Sequence, residues 1–293
     1  MSNTNVPNKL ALVDQDLQLQ TSHSDGRCSV NDIVQGSIAN GRSIIGITDH
    51  AIGWDDGDEH CRFFMKAADF NSYLQDIHTA QEKYEAQGIT ILAGLEVEIN
   101  FDGSMALAPG ILEVIGSEAN ILQHIDYIIG VIHSESFTVS LGARANAMAD
   151  SDKAALLVRN IEALIDHPNV LIWGHPFQAV HGHFIRDFTA SESDRIRAKL
   201  RARQTPLLLE YNLNPTPRYE EWQAKSTHYE SGLLVPNDDV FFENCAVESN
   251  CKFIVSTDAH DVAQTARLLS TTSVPEFINS KLAKVTDYLH AIR

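Results

Sequence analysis

The sequence has few cysteines, no long hydrophobic run and few basic residues. It contains 4 cysteines in 293 residues and no CxxC pair, which argues against a disulfide scaffold and favours reduced thiols. No segment approaches the roughly 18 consecutive apolar residues of a membrane helix, and the first residues lack the apolar core of a signal peptide. We therefore expect a cytoplasmic protein that does not associate with a membrane.

The charge of the chain is strongly negative. It carries 22 Lys and Arg residues against 39 Asp and Glu residues, a formal net charge of −17. Such a surface repels the phosphate backbone and offers no basic stripe, so duplex nucleic acid is disfavoured as a partner. A small anionic substrate stays compatible with this charge, because bound divalent cations reverse its sign locally.

Short apolar runs alternate with longer helical patterns along the chain, without an internal repeat or a linker. The pattern predicts seven strands, at Leu17–Gln20 (with Leu12 as an alternative start), Ser43–Thr48, Thr90–Val97, Tyr127–Ile132, Val170–Trp173, Pro206–Tyr211 and Lys252–Ser256. Strands separated by helices pair in parallel, and a parallel sheet needs both faces covered or closure into a barrel. We expect an α/β fold, a seven-stranded (β/α)7 barrel similar to a TIM barrel, as a single domain over residues 1–293.

Helical patterns fill the intervals between these strands. They lie at Ser29–Asn40, about Met65–Gln87, Ser117–Gln123, Lys153–Ile165, Ser191–Arg203, Asn237–Ser249 and Asp261–Ser270. Residues 1–9 are expected to be a flexible N-terminal segment. Residues 271–293 form a C-terminal extension, in which the apolar spacing over Ser280–Ile292 predicts a final helix that docks on the domain.

Polar residues follow every predicted strand, and in a β/α barrel the chemistry lies at the carboxyl ends of the strands. The metal-capable residues there are Asp25, His50, Glu96, His133, His175, Asp258 and His260, with Glu210 and Asn212 at the sixth strand. Imidazole and carboxylate together favour Zn, Mn or Fe, and this set has room for more than one ion. A single histidine after a strand is commonly an ordinary loop residue, but four at four strand ends favour a metal site.

The remaining histidines are weaker candidates. His78, His124 and His290 fall inside helical patterns and are expected at the surface. His181 and His183 form an HxH pair in the loop after the fifth strand, where no strand fixes them. They are either loop residues or substrate contacts.

Several short motifs occur together in one order along the chain. They are the run from Asp16 to Gly26, Thr48-Asp49-His50, Glu96, His133-Ser134, Gly174-His175-Pro176 and Thr257-Asp258-Ala259-His260. In order and spacing, this set resembles the polymerase and histidinol phosphatase (PHP) family over nearly the whole chain. The resemblance implies a distorted seven-stranded β/α barrel whose rim binds up to three divalent metals and hydrolyses phosphate esters.

The resemblance also implies the ligand sets of the metals. One metal would take His133, His175 and the bridging Glu96. Another would take Asp25, His50 and His260. The third family site would use two histidines of the first strand together with Glu96 and Asp258.

The first strand departs from the family pattern, because Gln18 and Gln20 stand where the two histidines are expected. Residues i and i+2 of a strand share a face, so both amides should face the rim, where they are candidate substrate-binding residues. An amide oxygen is a poor ligand for a borderline metal, so we expect two divalent ions and a doubtful third site. Three alternatives stay open: a weakly held third ion, His23 as a replacement ligand, and a decayed enzyme.

The function expected from this resemblance is metal-dependent hydrolysis of a phosphate ester. The leading hypothesis is a phosphomonoesterase on a small phosphorylated metabolite such as histidinol phosphate, with a metal-bridged hydroxide attacking phosphorus in line. Asp258 and His260 are the candidate catalytic residues, with Asp258 orienting or protonating the reacting groups. The alternatives are a phosphodiesterase or exonuclease on short oligonucleotides, and a decayed metal-binding sensor.

Arginines in the loops that follow strands are candidate phosphate clamps. These are Arg27, Arg144, Arg186 and Arg218, each with an exposed surface arginine as the alternative interpretation. Arg144 and Arg218 are favoured as substrate-binding residues, because they follow the fourth and sixth strands. The acidic loop over residues 53–64 is either a lid or a solvated loop.

Overall fold

The computed structural model of the chain describes residues 14–51, 69–133, 148–176, 188–213, 241–248, 250–266, 274 and 276–292. Its seven strands are β1 (Gln15–Asp16), β2 (Ile44–Ile47), β3 (Thr90–Glu98), β4 (Tyr127–Val131), β5 (Ile172–Trp173), β6 (Leu208–Asn212) and β7 (Lys252–Ser256). They form one sheet in sequence order with every neighbouring pair parallel. A bridge between Leu19 and Ala259 joins the two edges, so the sheet is a nearly closed barrel, and the predicted (β/α)7 fold is confirmed.

Helices alternate with the strands. They are α1 (Val30–Ala39), α2 (Phe70–Tyr84), α3 (Pro109–Ile115), α4 (Asp150–Asp166), α5 (Ala190–Ala202) and α6 (Glu276–Asn279). Residues 241–246 are also helical. Shorter 3₁₀ helices lie at Glu85–Gln87, Glu118–Gln123, Val262–Ala266, Val285–Asp287 and Leu289–Ala291. Among the described helices, none has the length and apolar character needed to cross a membrane.

Side-chain caps define where two of these helices begin. The Ser29 hydroxyl accepts a hydrogen bond from the backbone N–H of Asp32 at the start of α1. At the start of α5, Thr189 and Glu192 form a capping box, each side chain bonding the backbone of the other. Such caps satisfy N–H groups that have no partner within the helix, so the sequence marks both helix starts locally.

The core has two layers. One cluster contains buried strand residues such as Ile44, Leu92, Tyr127 and Ile129, and it includes no residue of α1 to α5. The other joins the alternate strand residues to the apolar faces of the helices. Because successive strand residues point to opposite faces, the first cluster fills the barrel and the second lies between the barrel and its helices.

The segment after α6 closes the amino-terminal end of the barrel. Ala283 and Val285 are buried within the inner cluster. The Gln15 side chain donates to the carbonyl of Ala283 at 2.6 Å and accepts from the N–H of Val285 at 3.1 Å. Leu282 also bridges Phe253 of β7. These contacts use backbone groups that a helix would need, so the α-helix expected over Ser280–Ile292 is wrong and two 3₁₀ turns stand in its place.

Three further elements differ from the sequence prediction. The paired part of β1 ends at Asp16, and residues 17–20 continue as an extended segment in which the Gln20 N–H donates to the Ala259 carbonyl. α3 lies within residues 101–116, where no helix was predicted, and it begins at Pro109, which is favourable at the first helical position. The expected helix over Asp261–Ser270 is a 3₁₀ turn in its described part.

Candidate metal centre

The carboxyl ends of the strands bring the predicted metal-capable residues to one rim. His50 follows β2, Glu96 lies near the end of β3, and His133 and His175 each stand two residues after β4 and β5. His50 and Glu96 are themselves bridge partners, which extends the pairing of β2 with β3 up to the site. Asp258 and His260 follow β7 in the same way. Side chains from distant parts of the chain therefore converge.

Three imidazoles surround one oxygen of Glu96. Its Oε1 atom lies 3.1 Å from His133 Nε2, 3.1 Å from His175 Nε2 and 3.6 Å from His50 Nδ1. The Glu96 side chain is 1% exposed, whereas the three imidazoles are slightly more open. A fully buried carboxylate needs compensating donors or cations, and here nitrogen ligands supply that environment.

A second group forms around Asp25. Its Oδ2 atom lies 3.2 Å from His260 Nε2, and its Oδ1 atom lies 3.7 Å from His50 Nε2. The Oδ1 atom is buried and accepts no hydrogen bond from the described residues. Ligand atoms that share one ion at about 2.1 Å lie roughly 3 to 3.5 Å apart. The orphaned oxygen and these separations therefore fit a divalent cation.

The described residues give two overlapping groups that could hold a metal. Asp25, His50 and His260 offer ligand atoms within 4.8 Å of one another, and so do His50, Glu96 and His133. His50 belongs to both groups because its two ring nitrogens face opposite directions, Nδ1 towards Glu96 and Nε2 towards Asp25. The arrangement is a continuous cluster of ligands, with His175 joining it through Glu96.

The charges in the cluster shift the pKa of its members. Burial raises the pKa of Glu96, but His50 and the hydrogen bonds of His133 and His175 outweigh burial and hold the pKa well below its usual value. Burial lowers the pKa of His133, but Glu98 and Glu96 outweigh it and raise that pKa well above its usual value. Glu96 is therefore ionised across the neutral range, the form in which a carboxylate binds a metal.

The residues near β7 and β6 are shifted too. Burial opposes the charge of His260, but the hydrogen bond with Asp25 and the charge of Asp258 raise the pKa of His260 to about 9. Burial raises the pKa of Glu210 to about 7, against the charge of His175. Perturbed groups of this kind cluster at functional sites.

Two carboxylates hold histidines of the centre in place, Glu98 at the ring and backbone of His133 and Glu210 at the backbone of His175, and neither contact was predicted from the sequence. Glu98 accepts the backbone N–H of His133 at 2.7 Å and contacts its Nδ1 atom at 2.8 Å. Glu210 accepts the backbone N–H of His175 at 2.7 Å. A carboxylate behind a histidine fixes the ring orientation and tautomer of a metal ligand. The available signal was position, since Glu98 stands two residues after Glu96 on the same face of β3.

Backbone geometry at the rim is unusual at two of the ligand positions. Among the described non-glycine residues, positive φ angles occur at His175 (24°) and Asp258 (47°). A side chain in this region costs conformational energy, and such residues cluster at functional sites. Asp258 is held by Asn212, whose Nδ2 atom donates to Asp258 Oδ2 at 3.2 Å. Both strained residues therefore belong to the candidate centre.

Two buried aspartates fix the loops that carry the ligands. Asp49 accepts hydrogen bonds from Thr21 and Ser24, which lie in the loop before Asp25. Asp16 accepts from the backbone and the hydroxyl of Thr257, directly before Asp258. These aspartates hold backbone and hydroxyl groups at the strand ends, where they position the neighbouring ligands.

The amides of Gln18 and Gln20 face Glu96. Gln18 Nε2 donates to Glu96 Oε2 at 2.8 Å and Gln20 Nε2 donates to the same oxygen at 2.6 Å. Both side chains are fully buried. His23, the suggested replacement ligand, faces away from the centre and contacts Asp76 of α2 at 2.9 Å. That alternative is therefore wrong.

Several predicted residues lie outside the described residues. These are Arg144, Arg186, Arg218, His181, His183 and the loop 53–64. The fourth candidate arginine, Arg27, has an exposed side chain, and its backbone N–H donates to the carbonyl of His260 at 2.8 Å. Phosphate contacts by these arginines stay predictions.

Comparison with known proteins shows which protein family the chain belongs to. The crystal structure of a protein provisionally described as the histidinol phosphatase HisK from Listeria monocytogenes matches with a TM-score of 0.60 and 15% sequence identity, covering 89% of this chain and 100% of that one. At this identity the likeness shows the fold. No curated protein matches the chain. The PHP domain family matches residues 16–204, more than half of the sequence. The chain therefore belongs to the PHP domain family.

Proposed function

We propose that the chain is a metal-dependent phosphoester hydrolase that acts on a small phosphorylated molecule, as a phosphomonoesterase. The observation that carries the proposal is the convergence of imidazoles from four strand ends on the carboxylates of Glu96 and Asp25. Membership of the PHP domain family supports phosphoester hydrolysis. The structural likeness to a protein described as a histidinol phosphatase favours a monoester.

The centre would hold two divalent ions, Zn, Mn or Fe. Glu96, His133 and His175 would hold one, and Asp25, His50 and His260 would hold the other. Bound there, such ions supply a water of lowered pKa and positive charge for the phosphoryl oxygens. Nitrogen ligands with a few carboxylates suit these metals better than Mg or Ca, which prefer oxygen ligands.

The residues next to the ions would orient the reacting groups. The Asp258 side chain is 13% exposed and borders the centre beside His260 and Asn212. It is thus within reach of a bound substrate, and we assign it the role of holding a proton for the leaving oxygen. His260 Nδ1 lies 4.0 Å from Asp258 Oδ1 and contacts the Asp258 carbonyl at 3.0 Å, so His260 borders the same carboxylate.

Release of phosphate from an aryl phosphate monoester tests the proposal. Purified chain loaded with Mn or Zn should hydrolyse p-nitrophenyl phosphate, and His133→Ala should abolish the activity because it removes a ligand. His78→Ala is the matched control, since His78 is exposed on α2 and pairs with Glu82 away from the rim. Equal activity of the two variants would contradict the proposed centre.

The same assay separates the alternative functions. A phosphodiesterase would release product from bis-p-nitrophenyl phosphate faster than from the monoester. A metal-binding sensor would bind ions without hydrolysing either compound. Hydrolysis of the monoester with little action on the diester is the result that the proposal requires.

A further inference from the structure

The second oxygen of Glu96 is occupied by two amide groups. While Oε1 faces the imidazoles, Oε2 accepts hydrogen bonds from Gln18 Nε2 at 2.8 Å and Gln20 Nε2 at 2.6 Å. All three side chains are buried, with exposed fractions of 0%, 0% and 1%. The two sides of one carboxylate thus have different partners, nitrogen ligands on one side and amide donors on the other.

The Glu96 carboxylate determines the direction of both amides. The oxygen of Gln18 faces Asn212 Nδ2 at 3.5 Å. The oxygen of Gln20 lies 3.3 Å from the Ser24 hydroxyl, whose proton is donated to Asp49 at 2.6 Å. Turning either amide over would place its oxygen against the Glu96 carboxylate, where two acceptors would repel each other. The N–H groups therefore point to Glu96, because an ionised carboxylate only accepts hydrogen bonds.

An amide nitrogen cannot replace an imidazole nitrogen as a ligand. The NH₂ group of glutamine is only a donor, whereas a metal requires a lone pair. Two N–H dipoles directed at one oxygen do, however, compensate a buried negative charge, as hydrogen bonds to a charged acceptor are stronger than neutral ones. The residues present on this side of Glu96 therefore do not fit a third ion.

We infer that Gln18 and Gln20 act as the substitute for a cation: they stabilise Glu96 in place of a third metal, and Glu96 binds ions through Oε1 alone. The amides thus serve Glu96 and not the substrate. The inference rests on the proposed function for the presence of the two remaining ions. It also assigns Asn212 a role, because this residue links the oxygen of Gln18 to Asp258.

Metal content measured by elemental analysis tests the inference without an activity assay. After loading with Mn or Zn and gel filtration, the unaltered chain should hold about two ions, and Gln18→His/Gln20→His should hold about three, because imidazoles replace the donors. The matched control is Gln75→His/Gln123→His, which adds two histidines at exposed positions and should keep about two ions. A count of two in the first variant, with its circular dichroism unchanged, would overturn the inference.

A second measurement needs no variant of the buried pair. Calorimetric titration of the unaltered chain with Mn should saturate at about two ions, and saturation at three would overturn the inference even where the double variant does not fold. Fewer than two ions would overturn both the inference and the proposed centre. Two ions without phosphate release would refute the hydrolase alone, so the two failures are distinguishable.

Discussion

His133 is held from two sides, by Glu96 at its Nε2 atom and by Glu98 at its Nδ1 atom and backbone N–H. The second contact leaves Nε2 as the nitrogen that faces the centre. A carboxylate in this position raises the basicity of the ring and prevents it from turning. The strength of metal binding at this centre should therefore depend on a residue that does not itself face the ions.

Glu98→Gln should weaken metal binding by about 10- to 100-fold, because an amide orients the ring less strongly than a carboxylate. Titration with Mn followed by calorimetry measures the change. Glu82→Gln is the matched control, since Glu82 contacts the His78 ring at 3.3 Å in an exposed pair on α2. Equal affinity of the two variants would show that Glu98 does not position the ligand.

Asp16 makes folding stability depend on pH. Burial raises its pKa from 3.8 to about 6, despite the hydrogen bonds from Thr257. The folded chain therefore binds this proton more tightly than the unfolded chain, and the contribution to stability is present below about pH 4 and lost as the pH rises to 6.

Asp16→Asn removes this contribution. The difference in the free energy of unfolding between the unaltered chain and the variant should fall by about 2 kcal/mol from about pH 4.5 to about pH 7.5. Urea denaturation at both pH values measures it. Other titrating groups cancel in the difference, so parallel pH profiles would contradict a raised pKa of Asp16.

The sequence shows which side chains reach the rim but not what they contact there. His50, His133 and His175 could be selected because each follows a strand, and parallel strands end at one rim. The bond from Gln20 to Glu96 joins residues 76 positions apart, so its geometry depends on tertiary packing that no local pattern encodes. His23 had the right neighbours in sequence, yet its ring faces α2.

At the scale of secondary-structure elements, a tyrosine of β4 packs beside one glycine of β2 and one glycine of β3. The Tyr127 hydroxyl donates to the carbonyl of Leu17 at 2.6 Å inside the barrel. A Cβ atom on Gly46 would lie 1.9 Å from that hydroxyl, and one on Gly94 would lie 2.8 Å from the ring. Because Gly46 and Gly94 have no side chain, the Tyr127 ring fits beside β2 and β3, and its hydroxyl reaches Leu17 in the segment after β1.

Gly46→Ala should destabilise the fold by about 2 kcal/mol, because an added methyl group in a packed core forces neighbours apart. Tyr127→Phe removes the clashing oxygen at a cost of about 1 kcal/mol for the lost hydrogen bond. In the double variant the penalty of Gly46→Ala should be smaller than in the unaltered chain. Denaturant unfolding of the four chains measures the coupling, and additive effects would contradict this packing.

Elements with a strong local signal could be predicted from the sequence. The seven apolar runs identify the strands, and the helix predicted over Ser191–Arg203 agrees with α5 to within one residue at each end. The segment over Ser280–Ile292 has helical spacing, but Gln15 and Phe253 bond its backbone groups, so tertiary contacts override its local preference. The form of this segment depends on a partner more than 250 residues earlier.

For the whole molecule, the surplus of acidic residues predicts that cations stabilise the fold. The net charge is −17, and the rim adds buried carboxylates at Glu96 and Glu98. An ion that binds only the folded chain stabilises it by about 2.7 kcal/mol at a concentration 100 times its dissociation constant.

Removal of metal with a chelator should therefore lower the melting temperature by about 5 °C or more, and added Mn or Zn should restore it. Differential scanning calorimetry measures the shift. A chain with both Asp25→Ala and His133→Ala should show no response to the chelator. A response of equal size in that variant would locate the stabilising ions elsewhere in the molecule.

The contact between the β1 and β7 edges of the sheet has a consequence for the order of folding. These edges meet through Leu19 and Ala259, and the Gln15 side chain bonds a carbonyl 268 residues later. Contacts this distant in sequence form slowly, since the intervening chain must first be ordered. We expect strands β2 to β6 to assemble first and the contact between β1 and β7 to form last. Because Asp25 follows β1, His260 follows β7 and the two side chains lie 3.2 Å apart, the ion site that they share with His50 should form only in the final step of folding.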